Sequence, residues 1–138
     1  MFERIKMWLD TSPGPARILL AEDDAVLRGL IEATLREDGH DVLPFPDGRH
    51  LLAYLEAVMM IENCAPPDLI ISDVMMPGYT GIEILSALRE ADLDMPVILI
   101  TAFGDRAAHE KAFELGAAMI DKPFGVNVLL DTVRCLVR

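Results

Sequence analysis

Residues 67–81 read Pro-Asp-Leu-Ile-Ile-Ser-Asp-Val-Met-Met-Pro-Gly-Tyr-Thr-Gly. The apolar run Leu69–Ser72 is continuous rather than alternating, which is typical of a strand that is buried on both faces of a parallel sheet. Asp73 follows this run directly, and Pro77 and Gly78 then indicate a turn. The stretch therefore predicts a buried strand that ends on a carboxylate and is followed by a loop.

Four more short apolar runs of this kind occur along the chain, each bounded by polar or turn residues. They are Ile18–Ala21, Val42–Phe45, Val97–Thr101 and Ala117–Ile120. Helical stripes of apolar residues alternate with these runs. The stripes comprise Leu27, Leu30, Ile31, Thr34 and Leu35; Leu51, Leu55, Val58 and Met59; Ile82, Leu85 and Leu88; Ala108, Ala112 and Leu115; and Val126, Leu129, Leu130 and Val133. Five βα units in a row predict an α/β fold, a doubly wound parallel sheet with helices on both faces.

The composition narrows the classes of protein to which this chain can belong. The chain has 138 residues, of which 52% are hydrophobic, and carries a formal net charge of -11. This length fits one domain with a substantial core. No apolar run approaches the ~20 residues that span a bilayer, and residues 1–10 mix charged with apolar residues and contain no signal-peptide h-region, so we expect a cytoplasmic protein without membrane contact. The acidic balance disfavours direct nucleic-acid binding, because phosphate contacts need clustered Lys and Arg.

The first part of the chain stands apart from the βα pattern. We assign residues 1–16 to an N-terminal arm or linker and residues 17–138 to the domain. A short amphipathic helix is predicted within residues 1–9, and the sequence Thr-Ser-Pro-Gly-Pro at 11–15 then breaks it. The apolar side of this helix consists of Phe2, Ile5, Trp8 and Leu9. A docking arm, a dimer contact and a frayed tail all remain open for this segment.

Polar side chains stand where the predicted strands end. Glu22 and Asp23 follow the first strand, Asp73 follows the third, Thr101 ends the fourth, and Lys122 follows the fifth. These ends meet at one edge of a parallel sheet. Carboxylates placed this close disfavour one another's ionisation, and Mg²⁺ is the cation that suits carboxylates, water and phosphate oxygens. With an ammonium and a hydroxyl nearby, the pattern predicts phosphoryl transfer to a carboxylate.

Two further acids at these strand ends have simpler interpretations. Asp24 is predicted to be the N-cap of the first helix, and Asp121 a solvated flank of the fifth strand. A capping box is predicted from Thr80 and Glu83 at the start of the third helix.

Four motifs together carry a resemblance to a known family. They are Ile-Leu-Leu-Ala-Glu-Asp-Asp at 18–24, the stretch at 67–81, Pro-Val-Ile-Leu-Ile-Thr-Ala at 96–102, and Asp-Lys-Pro-Phe at 121–124. In these motifs the sequence resembles the response-regulator receiver domains of two-component signalling, over about residues 17–138. The resemblance implies a flavodoxin-like (βα)₅ sheet with strand order 2-1-3-4-5.

The resemblance also implies roles for particular residues. Asp73 matches the phosphoacceptor, and Glu22, Asp23 and the backbone carbonyl of Met75 match the groups that bind Mg²⁺ together with it. The implied donor is a phosphohistidine on a sensor histidine kinase or a phosphotransfer protein.

Two more site residues follow from the same resemblance. Thr101 matches the hydroxyl residue that contacts the phosphoryl group, and Lys122 matches the lysine beside it, with a cis bond to Pro123. The output partner is unidentified, and we expect it on the face of the fourth helix, fifth strand and fifth helix, with a homodimer as an alternative. Met119 stands where the family usually has an aromatic switch residue, so the output mechanism departs from the family's pattern.

The lifetime of the phosphorylated state follows from two apolar residues. Met75 and Phe103 come two positions after Asp73 and Thr101, and neither side chain can orient an attacking water. We therefore expect slow self-dephosphorylation from a protein that is otherwise not an enzyme of the usual kind.

Other classes of function remain as alternatives. A receiver-like scaffold or dimerisation module could keep the fold without being phosphorylated. A phosphatase of the haloacid-dehalogenase type requires a second acid two residues after the nucleophile, where this chain has Met75. A flavin binder needs a phosphate loop after the first strand, where Glu22 and Asp23 would repel the phosphate. Because the sequence ends at 138, we expect either a stand-alone receiver or the front of a larger transcription factor.

Overall fold

The computed structural model describes residues 15–61, 65–102 and 105–137. The strands in these residues are β1 Arg17–Ala21, β2 Asp41–Phe45, β3 Leu69–Asp73, β4 Val97–Ala102 and β5 Ala118–Lys122. The helices are α1 Ala25–Glu37, α2 Gly48–Met59, α3 Gly81–Glu90, α4 Arg106–Glu114 and α5 Val126–Leu136. None of these helices is long and apolar enough to cross a bilayer. The amphipathic helix predicted near the start of the chain lies outside the described residues.

The strands form one parallel sheet in the order β2-β1-β3-β4-β5. Buried side chains of α2, α3 and α4 pack against one face of the sheet, and those of α1 and α5 pack against the other. The predicted α/β fold, its doubly wound arrangement and its strand order are confirmed. We call the side of the sheet where strands begin the amino edge, and the side where they end the carboxyl edge.

The predicted burial on both faces holds for the central strands and is wrong for the edge strands β2 and β5, since only Ile120 of β5 is buried. Every residue of β3 is buried, whereas only Val42 is buried in β2 and Leu43 is 44% exposed. The reason is position, because β2 pairs only with β1 and forms an edge of the sheet. As the outermost strand, β2 also tolerates Pro44, which lacks a backbone N–H and would leave a hydrogen bond unmade in a central strand.

The helical stripes were predicted correctly at their centres and too broadly at their margins. Most of the predicted residues are buried or partly buried, but Leu30, Met59 and Val126 are exposed. A helix buries only the part of its stripe that the sheet can cover. Leu30 and Val126 instead line a groove between α1 and α5, and Met59 lines one between α2 and α3.

Four of the described helices begin with a side-chain cap: Asp47 caps α2, and the caps of α1, α3 and α4 lie near the ends of β1, β3 and β4. Asp24 accepts the backbone N–H groups of the first turn of α1, as predicted. Thr80 and Glu83 form the predicted capping box at the start of α3. Asp105 caps α4 by accepting the N–H of Ala108. These caps satisfy backbone donors that a helix start leaves unpaired, so the caps fix where the loops around the carboxyl edge run.

Candidate functional site

Three carboxylates come together at the carboxyl edge. Glu22, Asp23 and Asp73 each offer an oxygen, and these atoms lie within 4.8 Å of one another. The pairing of β1 with β3 causes this, because Ala21 lies opposite Ser72 and the next residue of each strand continues toward the same point. Glu22 is only 1% exposed and Asp73 is also buried, whereas Asp23 is exposed. The structure thus brings together the three acids that the sequence analysis singled out.

Lys122 reaches this acidic cluster from the end of β5. Its Nζ lies 2.6 Å from Oδ2 of Asp73 and 3.4 Å from Oε1 of Glu22. The Lys122–Pro123 peptide bond is cis, as predicted. Burial by itself would lower the pKa of Lys122, but its hydrogen bond and ion pair with Asp73, reinforced by Glu22, raise it. The ammonium is therefore held in its charged form between two carboxylates.

Glu22 is the electrostatically strained member of the cluster. Burial, and after it the neighbouring carboxyl of Asp73, raise its pKa to about 8 against the smaller lowering effect of Lys122. Its Oε2 is buried and has no hydrogen-bond partner among the described residues. A buried carboxylate oxygen without a partner costs free energy, so this atom is placed for a ligand that the protein itself does not supply.

A divalent cation fits this arrangement. Three carboxylates beside one ammonium leave two negative charges when all the groups are ionised. Oxygen ligands of this kind are those that Mg²⁺ prefers. The backbone of Met75 lies beside the cluster, since its N–H donates to Oδ1 of Asp73 at 3.2 Å, and the residue is 67% exposed.

Thr101 is buried at the end of β4 and makes a contact that the sequence analysis did not anticipate. Its hydroxyl donates to Oδ2 of Asp105 at 3.3 Å. Because Asp105 is also the N-cap of α4, the hydroxyl is linked directly to the start of that helix. The available signal was an Asp four residues after Thr101, immediately before a helical pattern.

Asp121 is not the solvated flank that was predicted. Its Oδ1 lies 2.6 Å from Nε2 of His109, which belongs to α4. The prediction was wrong because it treated the end of β5 in isolation, whereas α4 packs beside this strand. The neighbouring Met119 is partly buried and lines a pocket of about 600 Å³ together with His109 and the exposed Phe113.

Gly81 allows the loop after β3 to close against the site. Its N–H donates to the carbonyl of Val74 at 2.9 Å. A Cβ at this position would collide with the carbonyl oxygen of Asp73 and lie 3.1 Å from Cδ2 of Leu99. Only glycine permits this close approach, so Gly81 holds the backbone of Asp73 in place.

Comparison with known protein families matches residues 18–134 to the model described as response regulator receiver domain. The C4-dicarboxylate transport transcriptional regulatory protein DctD of Pseudomonas aeruginosa is 38% identical over 120 residues, which cover 86% of this chain and 24% of DctD. The probable transcriptional regulator ycf27 of Galdieria sulphuraria is 33% identical over 123 residues, 88% of this chain and 45% of ycf27. The chain thus spans less than half the length of these two relatives.

Solved structures give the same picture of the fold. The chemotaxis protein CheY4 of Vibrio cholerae is 29% identical with a TM-score of 0.77, and the match covers 90% of this chain and all of CheY4 (100%). The response regulator protein TrrA of Thermotoga maritima, in complex with Mg(2+)-BeF, is 25% identical with a TM-score of 0.74. That match covers 88% of this chain and 99% of TrrA.

Proposed function

This chain belongs to the response-regulator receiver domain family of two-component signalling, and from this premise we propose that Asp73 accepts a phosphoryl group from a phosphohistidine of a partner protein. The observation that carries the proposal is the place of Asp73, where the acidic cluster and the ammonium of Lys122 meet at 2.6 Å. A carboxylate beside a fixed positive charge and a cation-binding cluster suits nucleophilic attack on phosphorus.

The transfer follows from the groups around Asp73. A carboxylate oxygen of Asp73 attacks the phosphorus, the bond between phosphorus and the imidazole nitrogen breaks, and its electron pair stays on that nitrogen, where a proton replaces the lost bond. Lys122 is already within hydrogen-bond distance of Asp73 and stabilises the charge on the phosphoryl oxygens. The hydroxyl of Thr101 turns from Asp105 toward the new phosphoryl group and donates to it.

Glu22, Asp23, Asp73 and the backbone carbonyl of Met75 are the groups that would hold Mg²⁺. The unpartnered Oε2 of Glu22 and the short distances within the cluster support this assignment. A bound Mg²⁺ supplies positive charge for the phosphoryl oxygens. The complex of TrrA with Mg(2+)-BeF adds support from a related fold.

The donor is a sensor histidine kinase or a phosphotransfer protein, and it needs a surface beside Asp73. A groove of about 290 Å³ between α1 and α5 opens next to Lys122 and is lined by exposed apolar side chains, among them Leu30 and Val126. An apolar groove between helices suits a helix with an apolar face. A helix seated there would bring a phosphohistidine to the carboxyl edge.

The output partner is expected on the face of α4, β5 and α5. Thr101 links the phosphorylation site to α4 through Asp105, and α4 buries little more than Ala108 and Ala112. A helix with so small a buried face can move at low cost. When Thr101 leaves Asp105, α4 loses one contact at its start, and the pocket beside Met119 changes shape. This route takes the place of the aromatic switch that the chain lacks, and a homodimer on this face is the alternative partner.

Acetyl phosphate with Mg²⁺, followed by intact-mass measurement, tests the phosphoacceptor. We expect the chain to gain one phosphoryl group, Asp73→Asn to gain none, and Asp94→Asn to behave as the unaltered chain, because Asp94 is an exposed acid at the amino edge. A chain that gains no mass under any condition would favour the non-phosphorylated scaffold. Gain of mass by Asp73→Asn would refute the assignment of the acceptor.

The phosphorylated state is expected to be long-lived, and the chain is not expected to turn over a substrate. Met75 contacts Asp73 through its backbone N–H, and its exposed thioether side chain cannot orient a water, while Phe103 lies outside the described residues. Met75→Asn should release phosphate about tenfold faster, since a positioned polar group assists water attack. Met75→Leu is the matched control that keeps an apolar side chain. An equal release rate in both variants would contradict this role.

A further inference from the structure

An apolar surface that the proposed function does not use is a groove between α2 and α3. It has a volume of about 280 Å³, and its lining comprises Leu52, Leu55, Glu56, Met59, Ala87, Leu88, Ala91 and Leu93. Met60 and Ile61 follow α2 directly and are also exposed, Met60 by 87%. The groove is smaller than the usual pocket for a small molecule. It suits instead a few apolar side chains of a polypeptide, and we call it the α2–α3 groove.

The charges around the α2–α3 groove are negative. Glu56 lines it, and the exposed Glu90 stands beside Ala87 and Ala91 on the surface of α3. No basic residue is among the described residues that line the groove. The nearby Arg89 is already engaged, because it donates to the carbonyls of Leu93, Met95 and Leu115. An occupant of the groove should therefore combine apolar side chains with positive charge.

We propose that the occupant is the segment of this chain at residues 1–9. This segment reads Met-Phe-Glu-Arg-Ile-Lys-Met-Trp-Leu, and its helical pattern places Phe2, Ile5, Trp8 and Leu9 on one side. Arg4 and Lys6 supply the positive charge. The apolar side fills the groove and the basic residues meet Glu56 and Glu90, which is the mode of an amphipathic helix in an apolar groove. The proposal does not depend on phosphorylation of Asp73.

The start of β1 brings the segment to the face of the sheet that carries α2 and α3. The N–H of Arg17 donates to Asp68, and its guanidinium donates to the carbonyl of Ala65. Both partners belong to the connection that runs from α2 to β3. Leu19 and Ala21 face the layer of α2, α3 and α4. Every second side chain of a strand lies on the same face, so Arg17 lies on this face as well. The chain therefore enters β1 next to the end of α2.

The tether is long enough to reach the α2–α3 groove. Residues 10–14 connect the segment to the described part of the chain and span up to ~17 Å when extended. Neighbouring strands are about 5 Å apart, and a helix with its side chains is about 10 Å across. The C-terminal halves of α2 and α3 lie at the amino edge, where β1 begins. A short tether also gives the segment an effective concentration in the millimolar range, so a modest affinity is sufficient.

Trp8 reports on this contact directly, because it is the one tryptophan in the sequence. In the full chain we expect a blue-shifted emission and at least a threefold lower quenching by acrylamide than in the same chain unfolded in urea. Ala91→Arg places a large side chain in the groove with a positive charge that repels Arg4 and Lys6. It should raise the quenching to the value of the unfolded chain. Ala33→Arg is the matched control, since Ala33 is an exposed helical alanine of α1, on the other face of the sheet. It should leave the quenching unchanged.

Three results would overturn the proposal. Trp8 could be as accessible in the folded chain as in urea, or its protection could survive Ala91→Arg. Its protection could also rise with protein concentration, which would assign the groove to a second copy. Ala87→Arg, in the middle of α3, repeats the test if Ala91→Arg does not fold. Phosphorylation by acetyl phosphate should be equal in all folded variants, so failure of this proposal is separable from failure of the phosphoacceptor assignment.

Discussion

The two edges of the sheet use charged residues in opposite ways. At the amino edge, Arg134 pairs with Asp38 at 2.6 Å and Arg89 donates to three backbone carbonyls. At the carboxyl edge, Glu22 is buried with one oxygen unpartnered among the described residues, and its pKa is raised to about 8. The two arginines at the amino edge thus find their partners within the protein and stabilise the fold. Glu22 at the carboxyl edge keeps an oxygen that the described residues do not satisfy, as expected of the proposed site for a cation and a phosphoryl group.

Arg89→Leu should give the largest loss of stability and tests whether the amino edge supports the fold. The change leaves the carbonyls of Leu93, Met95 and Leu115 without their charged donor. We expect the free energy of unfolding to fall by about 4 kcal/mol, since a hydrogen bond to a charged group contributes about 1.5–3 kcal/mol. Urea denaturation measures this effect. Arg49→Leu is the control, because Arg49 is exposed and makes no side-chain hydrogen bond with the described residues; similar losses in both would contradict the comparison.

Gly81→Ala tests whether one part of the carboxyl edge is nevertheless rigid. The added Cβ collides with the carbonyl of Asp73 and crowds Leu99. We expect a loss of about 3 kcal/mol in the free energy of unfolding, at the upper end for overpacking, together with slower phosphorylation. Gly29→Ala is the control, because a Cβ there meets nothing within 4 Å and the residue lies inside α1. A helical alanine should stabilise by up to about 1 kcal/mol, so a loss in that control would show that the reasoning fails.

Glu22→Gln should increase stability at high pH, whereas the two preceding substitutions decrease it. The pKa of Glu22 is about 8 in the folded chain and near 4.5 in the unfolded one, so the folded state holds the extra proton between these values. The free energy of unfolding of the metal-free protein therefore falls as the pH rises from about 4.5 to about 8. The glutamine has no charge to lose, and we expect this variant to be more stable than the unaltered chain at pH 9 by about 2 kcal/mol.

Denaturation at pH 5 and pH 9 in a chelator, and again with Mg²⁺, checks the effect of Glu22. Mg²⁺ should stabilise the unaltered chain more at pH 9 than at pH 5, because it favours the ionised carboxylate. Glu37→Gln, an exposed glutamate at the end of α1, is the matched control. If stability depends on pH in the same way in Glu22→Gln and in the control, Glu22 does not have the raised pKa that this prediction requires.

Arg134→Ala should have the smallest effect, although Arg134 belongs to the amino edge. Its hydrogen bonds with Asp38 hold the pKa of that carboxyl below the ordinary value. A carboxyl with a lowered folded pKa stabilises above its unfolded pKa and loses this effect as the pH falls through the folded value. Arg134 is largely exposed and screened by solvent. We expect a small decrease in Tm at neutral pH that vanishes at acid pH and in high salt. A large decrease that persists in high salt would contradict this.

The sequence predicted those features that depend on neighbours along the chain. Strand runs and helical stripes follow local periodicity, and the placement of Glu22, Asp23 and Asp73 follows from where strands end in a parallel sheet. Capping by Asp24 and Thr80 is also a local matter, and both caps are present.

The features that the sequence analysis missed depend on neighbours far away in the chain. Asp121 meets His109 because α4 packs beside β5, and no pattern around either residue indicates that contact. Arg89 reads as an ordinary basic residue at the end of a helix, yet one of its partners is the carbonyl of Leu115, 26 residues later. Leu30 continues a helical stripe but lies beyond the part that the sheet covers. Periodicity describes one element at a time, whereas burial depends on what that element packs against.

Pro44 in the outermost strand, β2, has a consequence for association between chains. An exposed edge strand can pair with a strand of another molecule, which is the first step toward fibrils. The exposed Leu43 in β2 makes this edge attractive to such a strand. Pro44 offers no N–H to it, and the charged Asp41 stands at the start of the strand. The residue that an inner strand would reject thus works here as a gatekeeper against aggregation.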